Sequence, residues 1–362
     1  MKNKKAFHGS DLELIEKKYG IPREKIINFA ANVNPLGISP LVRKELIKNI
    51  DTITTYPDRD YTVLKESIAS YCNVSPNFVA IGNGSTELIG IMTAYLAPKK
   101  ALLLSPTYSE YEKGVKFSGG EVDYFRLHEE DNFEIRLDEL KDTLASDYDL
   151  FILCNPNNPT SSHITTSQME SIISMCKEKN IFVMIDETYV EFAPPKISVS
   201  SVSLSYKYDN FIVLRGVSKF FASPGLRLGY AITSNQKLLE TIAKNQYPWC
   251  VNSIAELAGT VMYRDTDYRE ETAQLIHKEQ QRIYKIFQKS KQYKAYPPSA
   301  NFILLKILDP HLTSADIFDA CIKKGLMIRD CSTFPFMEHR YIRFCFMNPK
   351  DNDKLVKLLL SL

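Results

Sequence analysis

The chain has 362 residues, 44% hydrophobic and 24% charged, a composition typical of a folded globular protein and not of a disordered or coiled-coil one. Its 45 lysines and arginines against 43 aspartates and glutamates leave a net charge of +2, so no overall field favours nucleic acid or an anionic membrane. Because no apolar run approaches the roughly 20 residues of a membrane-spanning helix, and residues 1–10 lack an apolar stretch behind their basic start, we expect neither a membrane anchor nor a signal peptide.

The predicted elements change character along the chain. Residues 1–45 hold one helical pattern, at residues 11–19, and a loop rich in proline and asparagine. Short apolar runs then alternate with helical spacing, which is clearest at residues 86–96. The runs that read as strands lie at residues 101–104, 150–154, 181–185, 211–214 and 229–232. After residue 250 the pattern gives a long charged helix and two strand-like runs, at residues 268–288, 302–308 and 341–346.

These elements predict an α/β fold. Continuous apolar runs are typical of strands buried on both faces, as in a parallel sheet, and alternation with helices covers both faces of that sheet. We therefore expect a large domain with a mostly parallel sheet flanked by helices, and a smaller α/β domain built from both termini. The expected divisions are an N-terminal arm and part of the small domain (1–45), the large domain (46–250) and the C-terminal small domain (251–362).

The cysteines and histidines point to no metal and no disulfide framework. Seven cysteines and six histidines are scattered along the chain, without a Cys-x-x-Cys pair or a His-Glu-x-x-His motif. An odd number of dispersed cysteines is typical of reduced thiols. We therefore expect a cytoplasmic protein without a metal site.

Polar side chains follow four of the apolar runs where each strand is expected to end. Tyr108 follows the first run, and Asn157 lies in an amide-rich segment after the second. Asp186 ends the third run, and Lys219 follows the fourth. Because ligands bind beyond the carboxyl ends of the strands in an open parallel sheet, these side chains predict a binding site.

Asp186 and Lys219 are the residues whose chemistry is most informative. A buried aspartate usually belongs to a salt bridge or caps a helix, but one that faces a ligand can instead hold a ring nitrogen protonated. Most lysines are solvated surface charges, whereas Lys219 precedes Phe220 and Phe221. An apolar setting lowers the pKa of an amine and makes it a nucleophile suited to Schiff-base chemistry.

An anion cradle is predicted where residues 82–87, Gly-Asn-Gly-Ser-Thr-Glu, open a helix. Backbone N–H groups at a helix start bind phosphates, and glycines let the ligand approach. The segment lacks the third glycine of a dinucleotide fingerprint and the lysine of a P-loop, so an ordinary helix cap remains an alternative. Arg227, eight residues past Lys219, is a candidate cationic arm for the same phosphate, with a surface arginine as its alternative.

Together these elements resemble the fold-type-I pyridoxal-5′-phosphate (PLP) enzymes, the aspartate-aminotransferase superfamily, over nearly the whole chain. The motifs that carry the resemblance are Asn155–Thr160, Asp186-Glu187-x-Tyr189, Ser218-Lys219 and Gly225-Leu226-Arg227-x-Gly229. Residues 32–37 and 56–58 are similar to the branch that contains the histidinol-phosphate aminotransferases and the L-threonine-O-3-phosphate decarboxylases. His8-Gly9 and residues 29–37, 246–252, 328–331 and 340–343 are closer to the decarboxylases of cobalamin synthesis.

The resemblance implies roles for individual residues in holding PLP. Lys219 would bind the cofactor covalently, Asp186 would pair with the ring nitrogen, and Tyr108 would stack on the ring. Asn157 and Tyr189 would hydrogen-bond the phenolic oxygen of the ring. The residues implied for the PLP phosphate are Ser85, Thr86, Ser218, Arg227 and, from a partner subunit of a homodimer, Tyr56.

For the substrate, the resemblance implies a small phosphorylated amino acid. Arg343 would bind its carboxylate or phosphate, and the candidates for its phosphate end are His8, Asn32 and Arg329, with Asn157 also near the substrate. Two positions depart from the pattern. Gly216 stands where a Ser or Thr usually contributes a hydroxyl to the PLP phosphate, and Ser161 replaces a common Gly.

The implied activity is decarboxylation of L-threonine O-3-phosphate to (R)-1-aminopropan-2-yl phosphate in cobalamin biosynthesis. The alternatives are a histidinol-phosphate aminotransferase, which transfers the amino group to 2-oxoglutarate, and a decarboxylase of L-serine O-phosphate. The motifs do not separate these reactions, because the same cofactor residues serve all of them. A non-enzymatic sensor domain of a regulator is disfavoured, since no DNA-binding segment is appended and Lys219 is intact.

Overall fold

The computed structural model describes residues 7–145 and 147–362, so the first six residues of the expected N-terminal arm lie outside the described part. The helices are α1 (Leu12–Tyr19), α2 (Pro40–Lys48), α3 (Thr62–Cys72), α4 (Ser85–Leu96), α5 (Ser109–Phe117), α6 (Leu137–Thr143), α7 (Thr166–Glu178), α8 (Gln236–Asn245), α9 (Ser253–Met262), α10 (Thr266–Phe287), α11 (Ser314–Ile322) and α12 (Pro349–Leu359). The strands are β1 (Ile27–Asn28), β2 (Val79–Gly82), β3 (Lys100–Ser105), β4 (Glu121–Arg126), β5 (Leu150–Cys154), β6 (Phe182–Asp186), β7 (Phe211–Gly216), β8 (Gly229–Ile232), β9 (Tyr293–Ala295), β10 (Phe302–Ile307), β11 (Leu326–Met327), β12 (Arg329–Asp330) and β13 (Tyr341–Cys345).

The centre of the fold is a seven-stranded sheet in the order β2-β8-β7-β6-β5-β3-β4. Strands β7, β6, β5, β3 and β4 run parallel to one another, which confirms the predicted α/β fold with a mostly parallel sheet. Every residue of β5 is buried, as are nearly all residues of β3, β6 and β7, because helices cover both faces. The carboxyl ends of these strands therefore open at one edge of the sheet.

Two features of the sheet are absent from the sequence prediction. Strand β8 runs antiparallel to both of its neighbours, β7 and β2, and a short apolar run carries no information about its direction. Strands β2 and β4 were not predicted. Strand β4 is an edge strand in which the polar residues Glu121, Asp123 and Arg126 interrupt the apolar ones, so it shows no continuous apolar run.

The two ends of the chain meet beside this sheet. Strand β1 pairs in parallel with β11, where Ile27 lies opposite Leu326. A second, antiparallel sheet in the order β12-β13-β10-β9 follows, with α11 and α12 packed against each other next to it. Helix α9 packs on α2 and α3. The division of the chain at residues 45 and 250 stays a proposal. The separate antiparallel sheet in the C-terminal part supports the second of these two boundaries.

Three chemical features of the described residues complete this picture. No helix in residues 7–145 and 147–362 combines the length and apolar character needed to cross a membrane. Within the same ranges, no group of three or more His, Cys, Asp or Glu side chains is arranged to hold a metal ion. The seven cysteines are free thiols, five of them buried.

Candidate active site

A cavity of about 360 Å³ opens at the carboxyl ends of β5, β6 and β7, between the start of α4 and the two chain ends. Its volume is in the range of small-molecule sites. All but two of the residues predicted for the site line it. These are His8, Asn32, Ser85, Thr86, Tyr108, Asp186, Tyr189, Ser218, Lys219, Arg227, Arg329 and Arg343.

Lys219 reaches the cavity from the segment that follows β7. Its Nζ donates a hydrogen bond to the Ala31 carbonyl oxygen at 2.7 Å. Burial, and then the positive charge of Arg343, lower the pKa of this amine from 10.5 to about 8. About a tenth of Lys219 is therefore neutral and nucleophilic at pH 7, far more than of an ordinary lysine, and covalent capture of an aldehyde requires the neutral amine.

Asp186 is the last residue of β6 and is only 5% exposed. Its Oδ1 accepts hydrogen bonds from the Thr188 backbone N–H at 2.9 Å and the Thr188 hydroxyl at 2.5 Å, while Oδ2 accepts one from the Tyr111 hydroxyl at 2.6 Å. Burial raises the pKa of this carboxyl. Among the described residues no cation forms an ion pair with it, so a ligand that brings a positively charged N–H into the cavity would satisfy a buried charge. The protonated ring nitrogen of PLP is such a group.

Two tyrosines flank the space beside Asp186. Tyr108 precedes α5 and lies edge-on to Tyr111, with ring centroids 5.6 Å apart. Burial raises the pKa of Tyr189, whose hydroxyl accepts a hydrogen bond from the Asn32 amide at 3.2 Å. The side-chain oxygen Oδ1 of Asn32 is buried without a hydrogen-bond partner among the described residues, and Asn32 adopts the left-handed conformation that asparagine tolerates. Asn32 thus lies beside Tyr189 in the cavity, and its role at the phosphate end of the substrate stays a prediction.

The predicted anion cradle is present at the start of α4. Gly84 has φ +77°, and a Cβ on it would lie 2.4 Å from Arg227 Nη2. A Cβ on Gly229 would lie 2.4 Å from the Ser85 backbone nitrogen, so both glycines are needed for this close approach. The first N–H groups of a helix have no partner within it. Together with the Arg227 guanidinium they form a site suited to a phosphate.

The opposite end of the cavity carries three nitrogen-rich side chains from the two chain ends. Arg329 donates to the Phe7 carbonyl oxygen and, at 2.7 Å, to the Thr333 hydroxyl. Arg343 donates to the Asn158 side-chain oxygen and, at 2.7 Å, to the Ala30 carbonyl oxygen. Neither arginine has a carboxylate partner among the described residues, although both are more than nine-tenths buried. Uncompensated buried cations favour an anionic ligand.

The protonation of His8 follows from its neighbours. The Ser10 backbone N–H, which can only donate, points at His8 Nδ1 at 3.3 Å, so Nδ1 accepts and Nε2 carries the proton. Burial and the charge of Arg329 lower the pKa of His8. In the absence of a ligand, His8 therefore offers a neutral N–H donor next to two permanent cations.

Two predicted site residues do not reach the cavity. The Asn157 amide donates to the Pro106 carbonyl oxygen and the Thr160 hydroxyl, both at 2.9 Å, so it shapes the loop after β5. The next residue, Asn158, lines the cavity instead, and the expected ring contact of Asn157 is therefore better assigned to Asn158. Tyr56 is 77% exposed and lies over the Trp249 ring at 4.6 Å, outside the cavity. Its role towards a partner subunit stays a prediction.

Ser161, whose replacement of the common glycine had no interpretation from sequence, has a structural explanation. It adopts φ +61°, a conformation in which glycine is usual, and its hydroxyl oxygen accepts hydrogen bonds from the backbone N–H groups of Ser299 and Ala300 at 3.0 and 2.9 Å. These bonds fasten the loop that carries Asn158 to the segment leading into β10. The side chain therefore compensates for the strained backbone.

Sequence reasoning missed two further contributors to the site, Tyr111 and Asn158. Asn158 lies in a repeated Asn-Pro segment, and the sequence does not show which of its adjacent asparagines faces the cavity. Tyr111 lies three residues after Tyr108 and faces the same way because it is one helical turn further on. That spacing was the available signal for it.

The comparisons with known proteins agree with this geometry. The sequence profile described as aminotransferase class I and II matches residues 24–359. The chain is 31% identical over 352 residues to the threonine-phosphate decarboxylase of Salmonella typhimurium, covering 97% of this chain and 95% of that protein. It is 32% identical over 352 residues to the histidinol-phosphate aminotransferase of Methanococcoides burtonii, covering 96% and 93%. The solved histidinol-phosphate aminotransferase of Clostridium acetobutylicum has a TM-score of 0.86 at 30% identity, covering 92% of this chain and 98% of that one.

Proposed function

Since the chain belongs to the aminotransferase class I and II family, a family of PLP-dependent enzymes, we propose that it decarboxylates L-threonine O-3-phosphate to (R)-1-aminopropan-2-yl phosphate. This reaction belongs to cobalamin (cobamide) biosynthesis, and the proposed location is the cytoplasm. The observation that carries the proposal is the pair of buried arginines, Arg329 and Arg343, that have no carboxylate partner among the described residues. A phosphorylated amino acid has two anionic ends and satisfies both.

The residues at the sheet edge suit PLP. We assign covalent attachment to Lys219, the ring nitrogen to Asp186, the phenolic oxygen to Tyr189 and Asn158, and the ring face to Tyr108. The phosphate is assigned to the cradle of Ser85, Thr86, Ser218 and Arg227. When bound, PLP withdraws electrons from the bonds at the Cα atom of the substrate, so that one of them breaks.

The side chains of this enzyme decide which bond that is by orienting the substrate. Arg343, which lies between Asn158 and Ala30, is assigned the carboxylate, and Arg329 with His8 is assigned the phosphate. A substrate fixed at both ends has its carboxylate held in one direction relative to the ring, whereas one anchor leaves it free to rotate. Lys219, with a pKa near 8, is suited to deliver the proton that Cα gains after CO2 leaves.

The test is an assay of the PLP-loaded enzyme with L-threonine O-3-phosphate and no 2-oxo acid. We expect release of CO2 and formation of 1-aminopropan-2-yl phosphate in equal amounts, measured by trapping the CO2 and by mass spectrometry of the amine. Omission of the 2-oxo acid prevents a complete transamination cycle, so repeated turnover under these conditions distinguishes decarboxylation. Absence of CO2 release with an enzyme that retains its bound PLP would contradict the proposal.

The second candidate is a histidinol-phosphate aminotransferase, favoured by the relative from M. burtonii and the structure from C. acetobutylicum. The same cationic end of the cavity would hold the phosphate of histidinol phosphate. Formation of glutamate from histidinol phosphate and 2-oxoglutarate identifies this activity. L-Serine O-phosphate is a third assay, since the one methyl group that it lacks is worth only about 1–3 kcal/mol of discrimination.

We further propose that the enzyme works as a homodimer. Several large apolar side chains on α2 and in the segment after it are exposed, including Ile47, Ile53 and Tyr56. Exposed apolar side chains grouped on one segment favour a protein contact. A partner copy packed there would bring Tyr56 close to the neighbouring site, as the sequence resemblance implies.

The missing hydroxyl at Gly216 gives a testable gain in cofactor binding. A Cβ on Gly216 would lie 3.9 Å from Ser85 Oγ, within the cradle, with the Leu228 carbonyl oxygen 3.3 Å away. We expect Gly216→Ser to lower the PLP dissociation constant by about three- to tenfold, because its hydroxyl can donate to a charged phosphate. Titration of PLP-free protein by visible absorbance measures this change.

Gly216→Ala is the matched control, because it adds the Cβ and the same contact with Leu228 without the hydroxyl. We expect the alanine variant to bind PLP no more tightly than the unaltered protein. Equal affinities of the serine and alanine variants would show that the phosphate does not approach residue 216.

A further inference from the structure

Tyr111 contacts Asp186, the one carboxylate among the described residues that line the cavity, yet the sequence resemblance gives Tyr111 no role. It lies in the first turn of α5 and is 1% exposed. Its hydroxyl donates to Asp186 Oδ2 at 2.6 Å, while Thr188 occupies Oδ1 with both its backbone N–H and its hydroxyl. Each oxygen of Asp186 is thus held by a different element, Oδ2 by α5 and Oδ1 by the segment after β6.

The count of hydrogen bonds shows what remains available on Asp186. A carboxylate accepts about four hydrogen bonds, two on each oxygen. Thr188 supplies two donors to Oδ1, and Tyr111 supplies one to Oδ2. The open position is therefore on Oδ2, the oxygen that Tyr111 holds. Because Asp186 lines the cavity, this position is available to a donor on a bound ligand.

We propose that Tyr111 is a positioning residue for PLP binding: its hydroxyl fixes the plane of the Asp186 carboxylate and directs the free lone pair of Oδ2 at the protonated nitrogen of the cofactor ring. Without this bond the carboxylate is held through Oδ1 alone and is free to rotate about its own axis. The three donated bonds also favour the ionised carboxylate in a setting where burial disfavours it. The inference rests on PLP as the cofactor and does not depend on which substrate the enzyme uses.

An alternative is that Tyr111 only fills space behind the cavity. Its ring packs edge-on against Tyr108 and its side chain also lies near Cys154. A packing role predicts a general loss of stability and of affinity for any ligand of similar shape. A positioning role predicts a loss confined to ligands that carry the ring nitrogen. The two roles are therefore distinguished by two cofactors that differ in that atom alone.

The experiment compares Tyr111→Phe with the unaltered protein, both freed of cofactor, in titrations with PLP and with 1-deaza-pyridoxal phosphate, in which C–H replaces the ring nitrogen. Visible absorbance and protein fluorescence report binding of both probes without any turnover. We expect the variant to bind PLP about tenfold more weakly, as for loss of a bond that supports a charged pair, and to bind the deaza analogue as the unaltered protein does.

Tyr148→Phe is the matched control, since Tyr148 is also buried and its hydroxyl donates to an aspartate, Asp123, at 2.9 Å, away from the cavity. It should bind both probes normally. An equal loss of affinity for PLP and the deaza analogue in Tyr111→Phe, or no loss for either, would overturn the proposal. If the phenylalanine variant did not fold, Tyr111→His, which keeps a donor on a smaller ring, would replace it. A histidine variant with no preference for PLP over the analogue would count against the proposal.

Discussion

Lys219→Ala is expected to abolish turnover and to change the visible absorbance of the PLP-loaded protein from that of an imine to that of the free aldehyde. Lys219 is the lysine that lines the cavity, and its lowered pKa makes it the amine able to bond the cofactor aldehyde. Without it PLP is held by non-covalent contacts only, and the proton that Cα must gain has lost its donor. Loss of a nucleophile that also transfers protons lowers kcat by several orders of magnitude, roughly 10⁴-fold or more.

Two controls make this result specific. Lys207→Ala removes an exposed lysine that pairs with Glu170 on the surface, and it should leave both activity and absorbance unchanged. Treatment of the unaltered, PLP-loaded protein with borohydride should attach the cofactor permanently to the peptide that contains residue 219, as peptide mass spectrometry can verify. Label on a different lysine would show that the assignment of Lys219 is mistaken.

Asp186→Asn is expected to lower kcat by roughly 10²–10³-fold, the range found when one preorganised electrostatic contact to the reacting group is removed. Asparagine has nearly the same shape and can still accept from Thr188, so the fold should be kept. It does not carry the charge that holds the ring nitrogen protonated, and PLP therefore withdraws electrons less strongly. Steady-state kinetics with saturating PLP measures the change.

The same substitution should act in the opposite direction on the stability of the cofactor-free protein. Burial raises the pKa of Asp186 in the folded chain above its unfolded value, so at pH values above the folded pKa the ionised carboxylate costs stability. At pH 7 we therefore expect cofactor-free Asp186→Asn to have a higher Tm than the unaltered protein, and a smaller gain in Tm when PLP is added. A lower Tm without cofactor would show that the three hydrogen bonds to Asp186 outweigh its burial.

The central sheet was predictable because its parallel strands are buried on both faces and stand out as apolar runs. The same physics explains what was missed. Strand β4 lies at an edge and has polar residues among its apolar ones, and the direction of β8 depends on its pairing with neighbouring strands. Asp186 and Lys219 could be assigned to the site because they follow predicted strands, and the carboxyl ends of parallel strands lie at the same edge of the sheet.

Side-chain direction within loops was not predictable in the same way. Asn157 and Asn158 differ by one position, and the hydrogen bonds of Asn157 to Pro106 and Thr160 decide which of them faces the cavity. The spacing of Tyr111 from Tyr108 was visible in the sequence, but its bond to Asp186 depends on how α5 packs against the end of β6. Both cases depend on how one element packs on another, which a pattern along a single chain does not record.

The meeting of the two chain ends has a consequence for the order in which the site is completed on the ribosome. The ribosome adds roughly 5–20 residues per second, and the N-terminal parts of a protein generally fold first during this synthesis. All residues assigned to PLP in the same subunit have been translated by residue 229, whereas Arg329 and Arg343 come near the end, and Arg329 then contacts Phe7 from the start of the chain. A growing chain therefore possesses its cofactor groups before it can select a substrate. Truncation at the C-terminus ahead of these arginines would leave the cofactor groups in the chain but remove the means to choose what they act on.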